Sequence, residues 1–162
     1  STDGLTGLAN RRMLEARLND LLRGQVSFAL AVADVDLFKT LNDNYGHASG
    51  DAALIGFAHL LQAAFGQTLI GRLGGEEFAL LSSLPAVQLS AQLDQLRQQC
   101  AAVHYANNAP ALSFSAGVYQ GQDEDLSALL HQADLRLYQA KQQGRGQCCL
   151  SLDDQAAAPT IA

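Results

Sequence analysis

Residues 28–35 read FALAVADV, a nearly unbroken apolar stretch with one acid, Asp34, at its last position but one and a second, Asp36, just beyond it. Eight residues are too few for a core helix and too few to cross a membrane. Without polar alternation, the run predicts a central strand buried on both faces, so the sheet around it must be covered by helices on both sides. Acids at the end of such a strand have no cheap structural excuse. An unpartnered buried carboxylate costs roughly several kcal/mol or becomes neutral. Asp34 lies deeper in the run and is the better metal ligand; Asp36 can serve as a cap or ion pair for the next turn.

The rest of the chain supplies the helices. Asn10 is a natural N-cap for a helix carrying Leu14, Leu18 and Leu21 on one face and ending at Gly24. After a polar segment, LFKTLNDNYGHASGD, the residues Leu54, Ala58, Leu61 and Phe65 mark a second amphipathic helix. The stretches LIGRL and FALLSS flank Gly74-Gly75-Glu76-Glu77 and predict a hairpin. A third helix follows over Leu89–Val103, a strand over 111–119, and a last helix over Leu126–Ala140, ended by Gly144. Cys148 to Leu150 adds an edge strand. The fold class is therefore α+β: a ferredoxin-like or polymerase-palm central antiparallel sheet flanked by helices. Residues 1–150 make one domain, and 151–162 read as a disordered tail.

Composition excludes several functions. With 162 residues and a net charge of −6, the chain has no basic stripe of the kind that holds nucleic acid. It has no apolar run of membrane-spanning length. Three cysteines, two of them adjacent, make no disulfide framework, so a reduced, cytoplasmic setting is expected.

Three clusters carry candidate chemistry. In Arg72-Leu73-Gly74-Gly75-Glu76-Glu77-Phe78, two glycines leave bare backbone for a bulky ligand, and two carboxylates can hold Mg2+ against phosphate oxygens. The plainer alternative is a hairpin turn with solvated acids. If the hairpin pairs with the central strand, Asp34 and Glu76 converge. Lys141 and Arg145 are four apart and project from one side of a helix end, where cations are also favoured for purely structural reasons.

Together, in this order and spacing, these clusters resemble the GGDEF-domain diguanylate cyclases, in the GGEEF form. The opening Asp3-Gly4-Leu5-Thr6-Gly7-Leu8 with Asn10-Arg11-Arg12, the segment Asp34 to Lys39, then Asn42-Asp43 and Gly46-His47-Ala48-Ser49-Gly50-Asp51, the signature Gly74 to Phe78, and Lys141 with Arg145 all match that family. Gly146 stands where the family often has asparagine, and Leu73 where it often has an aromatic residue.

The resemblance implies a nucleotidyl-cyclase-like fold and a role in bacterial second-messenger signalling: two GTP molecules condensed to cyclic di-GMP and two pyrophosphates. It implies two Mg2+ per GTP, with Mn2+ able to substitute, held by Asp34, Glu76 and the carbonyl of Val35. Glu76 is the family's proposed base, and Glu77 supports the metal site; which of the two takes the proton stays open. Phe38 and Lys39 would bracket the phosphates, with Lys39 countering transition-state charge. Lys141 and Arg145 would hold the terminal phosphates, and Arg72 would buttress the hairpin or a phosphate. Gly74 and Gly75 would lie under the nucleotide. Asn42 and Asp51 would read guanine, with His47 nearby; guanine's N1–H and N2–H suit a carboxylate acceptor.

A homodimer of half-sites is expected, as is an upstream sensor or regulatory domain. Competing readings are a degenerate GTP-binding module and another palm-type nucleotidyl enzyme. The family's inhibitory Arg-x-x-Asp motif would fall on Phe65-Gly66-Gln67-Thr68, which has neither charged anchor, so no such product site is expected.

Overall fold

The computed structural model describes residues 2–103, 105–106 and 108–153. Its elements run α1 (Arg11–Arg23), β1 (Ala29–Val35), α2 (Phe38–Tyr45), α3 (His47–Ala64), β2 (Leu69–Gly74), β3 (Glu77–Ser82), α4 (Ala86–Cys100), β4 (Phe114–Gln120), α5 (Leu126–Gln142) and β5 (Cys148–Cys149). The strands form one sheet in the order β2-β3-β1-β4-β5. The Asn10 side chain caps α1 by accepting from the Met13 amide at 3.0 Å, and Gly24 closes it.

β1 is the centre of the sheet and every one of its residues is buried. Alternate side chains enter two separate cores. Ala29, Ala31, Ala33 and Val35 face the core built on α3 and α4, while Leu30 and Val32 face the core built on α1 and α5. The alanines leave room for three phenylalanines: Phe57 packs edge-on to Phe78 and tilted to Phe114, each with ring centroids 4.9 Å apart. Emptying such a position, as in Phe57→Ala, costs about 3–5 kcal/mol.

The α+β sheet flanked by helices is as expected, and three details add to it. The polar segment after β1 folds as α2, and α3 begins at His47, upstream of Leu54. In α2 only Leu41 is buried, so a helix of barely two turns left no apolar periodicity to read. The sheet is antiparallel across β2, β3, β1 and β4, but β5 pairs parallel to β4. A strand that returns through a crossover helix pairs in parallel, and α5 is that helix. Finally, residues 151–153 are tied to α5. The Asp153 amide donates to Gln139 Oε1 at 2.6 Å, and Gln139 Nε2 donates to the Ser151 carbonyl at 3.1 Å. The tail expectation for 154–162 lies outside the described residues.

α5 lies unusually close to the sheet. A Cβ on Gly117 of β4 would stand 2.1 Å from the Ala133 carbonyl oxygen and 2.3 Å from the Leu137 nitrogen. Glycine alone permits this approach, and it sets the later turns of α5 over the end of β1.

Candidate active site

The β1–β3 pairing sets Asp34 directly across from Glu77, and the Val35 amide donates to the Glu76 carbonyl at 3.4 Å. The hairpin thus pairs with β1, the condition set for Asp34 and Glu76 to converge, and Asp34 lies beside the signature turn. Gly74 (φ +144°) and Gly75 (φ +51°) have backbones that side chains rarely adopt, and a Cβ on either would meet nothing within 4 Å. The turn thus needs glycine for conformation and offers a bare, open face. Arg72 holds it from behind: its Nε donates to the Gly75 carbonyl at 2.9 Å and its NH1 group to both oxygens of Asp3 at 3.2 Å. Of the two roles expected for Arg72, buttressing the hairpin is the one this geometry shows.

Asp34 is only 6 % exposed. Its Oδ2 accepts from Lys141 Nζ at 2.5 Å, whereas its Oδ1 is buried with no hydrogen-bond partner. Burial pushes this carboxyl above the ordinary aspartate range, against the pull of Lys141. Glu77 is pushed up to about 7, first by burial and then by the charges of Asp134 and Asp34. Asp134 is raised in turn by burial and by Asp34. Three carboxylates therefore crowd around one ammonium. Glu77 and Asp134 border a cleft of about 380 Å3 rimmed by Arg11, Gly74 and His131.

Asp134 and His131 were not anticipated. The available signal was spacing: Asp134 lies two helical turns before Lys141 and so shares its face of α5. Lys141 itself was expected on phosphate, but here its ammonium sits on Asp34, a contact across the fold that local sequence cannot show. Arg145 is not on the helix. It lies beyond the Gln143 C-cap at φ +62° between Gly144 (φ +115°) and Gly146 (φ +57°). The chain reverses there, so Lys141 and Arg145 do not project from one helix side. Arg145 is exposed and, with Leu37, Tyr45 and Tyr105, lines a separate cavity of about 510 Å3.

Asp36 is structural. Its carboxylate accepts from Ser113 Oγ and Ser115 Oγ, each at 2.6 Å, and from the Gly146 amide at 3.1 Å. It thereby pins the exit of β1 to β4 and to the loop that carries Arg145. Ser113 and Ser115 were also not anticipated.

α2 starts from Leu37, an exposed leucine in the left-handed region (φ 54°), and no side chain caps the first amides of the helix. Amides of this kind suit an anion. The Phe38 ring, however, packs against the α3–α4 core, which leaves only its backbone for a phosphate. Lys39 is turned away from the carboxylates: its Nζ donates to Asp43 Oδ2 at 2.8 Å on the surface, which raises its pKa. The packing of α2 on α3 sets Asn42 against Gly50. A Cβ on Gly50, next to Asp51, would fall on the Asn42 carboxamide. Asp51 and His47 are both exposed in the first turns of α3.

Among the described residues no cluster of three or more His, Cys, Asp or Glu side chains is set to hold an ion. The donor set that the resemblance implies is smaller: Asp34, Glu76 and the Val35 carbonyl. Two carboxylates and a carbonyl fit Mg2+, which takes oxygen ligands and completes its shell with water and substrate phosphates. The buried, unpartnered Oδ1 of Asp34 is the observation that favours a cation there.

The sequence profile described as "Diguanylate cyclase, GGDEF domain" matches residues 1–147. The chain is similar to diguanylate cyclase DgcP of Pseudomonas aeruginosa, 39% identical over 156 residues, a match covering 89% of this chain but 23% of that protein. Its structure resembles the GGDEF domain of DgcB from Caulobacter crescentus, solved with c-di-GMP (TM-score 0.82, 30% identity, 92% of each chain). It also resembles the active GGEEF domain of a diguanylate cyclase from Vibrio cholerae (TM-score 0.80, 29% identity, 90% of this chain and 98% of that one). With a profile match over nearly its whole length and the signature turn set against β1, the chain belongs to the GGDEF-domain diguanylate cyclase family.

Proposed function

We propose that this domain condenses two GTP molecules into cyclic di-GMP, each 3′-oxygen attacking the α-phosphate of the other nucleotide and expelling pyrophosphate. The observation that carries this reading is the unpartnered, buried Oδ1 of Asp34 beside the open glycine turn. Asp34, Glu76 and the Val35 carbonyl would hold two Mg2+ per GTP, with Mn2+ able to substitute. Such ions lower the pKa of a bound hydroxyl and stabilise the entering and leaving oxygens of an in-line displacement.

The chain's own residues do the rest. Glu76 or Glu77 takes the proton from the 3′-hydroxyl. The free amides at the start of α2 receive phosphate oxygens, and Lys141 shares its charge between Asp34 and the phosphates. Arg145 reaches the terminal phosphate from the loop that Asp36 anchors. Lys39 must leave Asp43 to act, and its exposure leaves it free to swing. Asn42 and Asp51 read guanine.

Each domain presents one such site and the product has two-fold symmetry, so the active species is a homodimer of facing half-sites. No helix among the described residues is long and apolar enough to cross a membrane. We place the reaction in the cytoplasm, where GTP is, under the control of an upstream sensor. Incubation with GTP and Mg2+, followed by chromatography of the nucleotides, tests the proposal.

A further inference from the structure

Gly50 is buried in the interior of α3, where glycine is the poorest choice for a helix after proline. Its backbone is not in the left-handed region, so conformation does not demand it. What demands it is a neighbour. A Cβ at Gly50 would lie 1.8 Å from Asn42 Oδ1, 2.9 Å from Asn42 Cγ and 3.2 Å from Phe38 Cζ. Asn42 Oδ1 is buried and has no hydrogen-bond partner. The carboxamide therefore rests against the bare Cα of Gly50 with one end enclosed, and no hydrogen bond at that end fixes it there. Only the shape of the seat does.

We infer that Gly50 is a positioning residue for base recognition: its missing side chain forms the seat from which the Asn42 carboxamide reads guanine beside Asp51. The inference rests on the reading of Asn42 as a base contact. The atoms nearest the added Cβ are the Oδ1 and Cγ of Asn42, with Phe38 Cζ at a tight but smaller overlap, so in Gly50→Ala the Asn42 side chain rotates away while the helix, which gains propensity, stays folded. A packing defect would harm all ligands alike. A displaced Asn42 harms recognition of guanine but leaves the phosphate contacts intact.

The test is a double-mutant cycle on Gly50→Ala, Asn42→Ala and the pair. Dissociation constants are measured by titration calorimetry with α,β-methylene GTP and α,β-methylene ATP in Mg2+, analogues that cannot release pyrophosphate. Each single variant should weaken the GTP analogue by about three- to tenfold, the range of one lost neutral hydrogen bond, and narrow its preference over the ATP analogue. The pair should be no worse than Asn42→Ala alone, because the seat matters only to its occupant. Equal additional losses from Gly50→Ala in the Asn42→Ala background would overturn the inference, as would an unchanged analogue preference in Gly50→Ala when Asn42→Ala alters it. If Asn42→Ala itself leaves both constants unchanged, the reading of Asn42 as a base contact fails first, and the role of Gly50 fails with it.

Discussion

Replacing Glu77 with glutamine should stabilise the domain above neutral pH and leave its stability unchanged in acid. In the folded chain this carboxyl is pushed up to about 7 from 4.5 by burial and by Asp134 and Asp34. The folded state thus holds a proton between those two values that the unfolded chain has released. Its stability falls as pH rises across that window, and the loss is complete above the folded value. If the group were fully buried, a shift of this size would correspond to about 3 kcal/mol. Glu77 is only partly buried, at the edge of an open cleft, so solvent screening reduces the figure to about 1–2 kcal/mol. Glutamine keeps the shape, removes the charge and offers a donor to the neighbouring carboxylates. Urea denaturation of both proteins without divalent ions, at steps from pH 4 to pH 8.5, gives the difference directly. The curves should coincide near pH 4 and separate through pH 5–7, with the variant more stable by about 1–2 kcal/mol at pH 8. A difference that is flat with pH, or a variant less stable at pH 8, would refute the crowded-carboxylate account.

Asp3→Ala should destabilise the domain by about 2–3 kcal/mol in urea melts, because the Arg72 NH1 and Thr6 donors lose a charged acceptor. An Asp3→Ala melt equal to wild type would show that the opening segment does not brace the signature turn. Specific activity should rise with enzyme concentration, as a homodimer of half-sites requires, and a flat profile over a hundredfold range would contradict it. Added cyclic di-GMP should inhibit only in competition with GTP. The positions where the family's inhibitory motif would fall hold Phe65, buried in the core, and Thr68, which donates to Ser82 Oγ at 2.9 Å. Noncompetitive inhibition would reveal a product site elsewhere.

What the sequence made legible followed from strong local patterns. The apolar run at Phe28–Val35 is long enough and plain enough to read as the doubly covered β1, and its acids fall where the sheet ends. The glycine pair marks the hairpin because side chains rarely adopt the backbone of either position, Gly74 at φ +144° above all. α2 was missed because a short helix anchored only by Leu41 has no period to detect. The clasp of Lys141 on Asp34 spans 107 residues, and the anchoring of Asp36 by Ser113, Ser115 and the Gly146 amide likewise joins β1, β4 and the loop after α5. Such contacts are made by the fold and leave no local trace. Lys39 and Phe38 show what a motif leaves out. Their place in a motif implied phosphate contact, whereas the side chains are held by Asp43 and by the core.

The most direct test of the central claim is the product formed from GTP in Mg2+ by the wild-type domain and by Glu76→Ala, resolved by chromatography. The wild type should yield cyclic di-GMP and pyrophosphate in a ratio of one to two. The variant, folded but lacking a ligand for the ions, should yield neither above background. Cyclic di-GMP formed at an undiminished rate by Glu76→Ala, or its absence from the wild-type reaction at every enzyme concentration, would contradict the account.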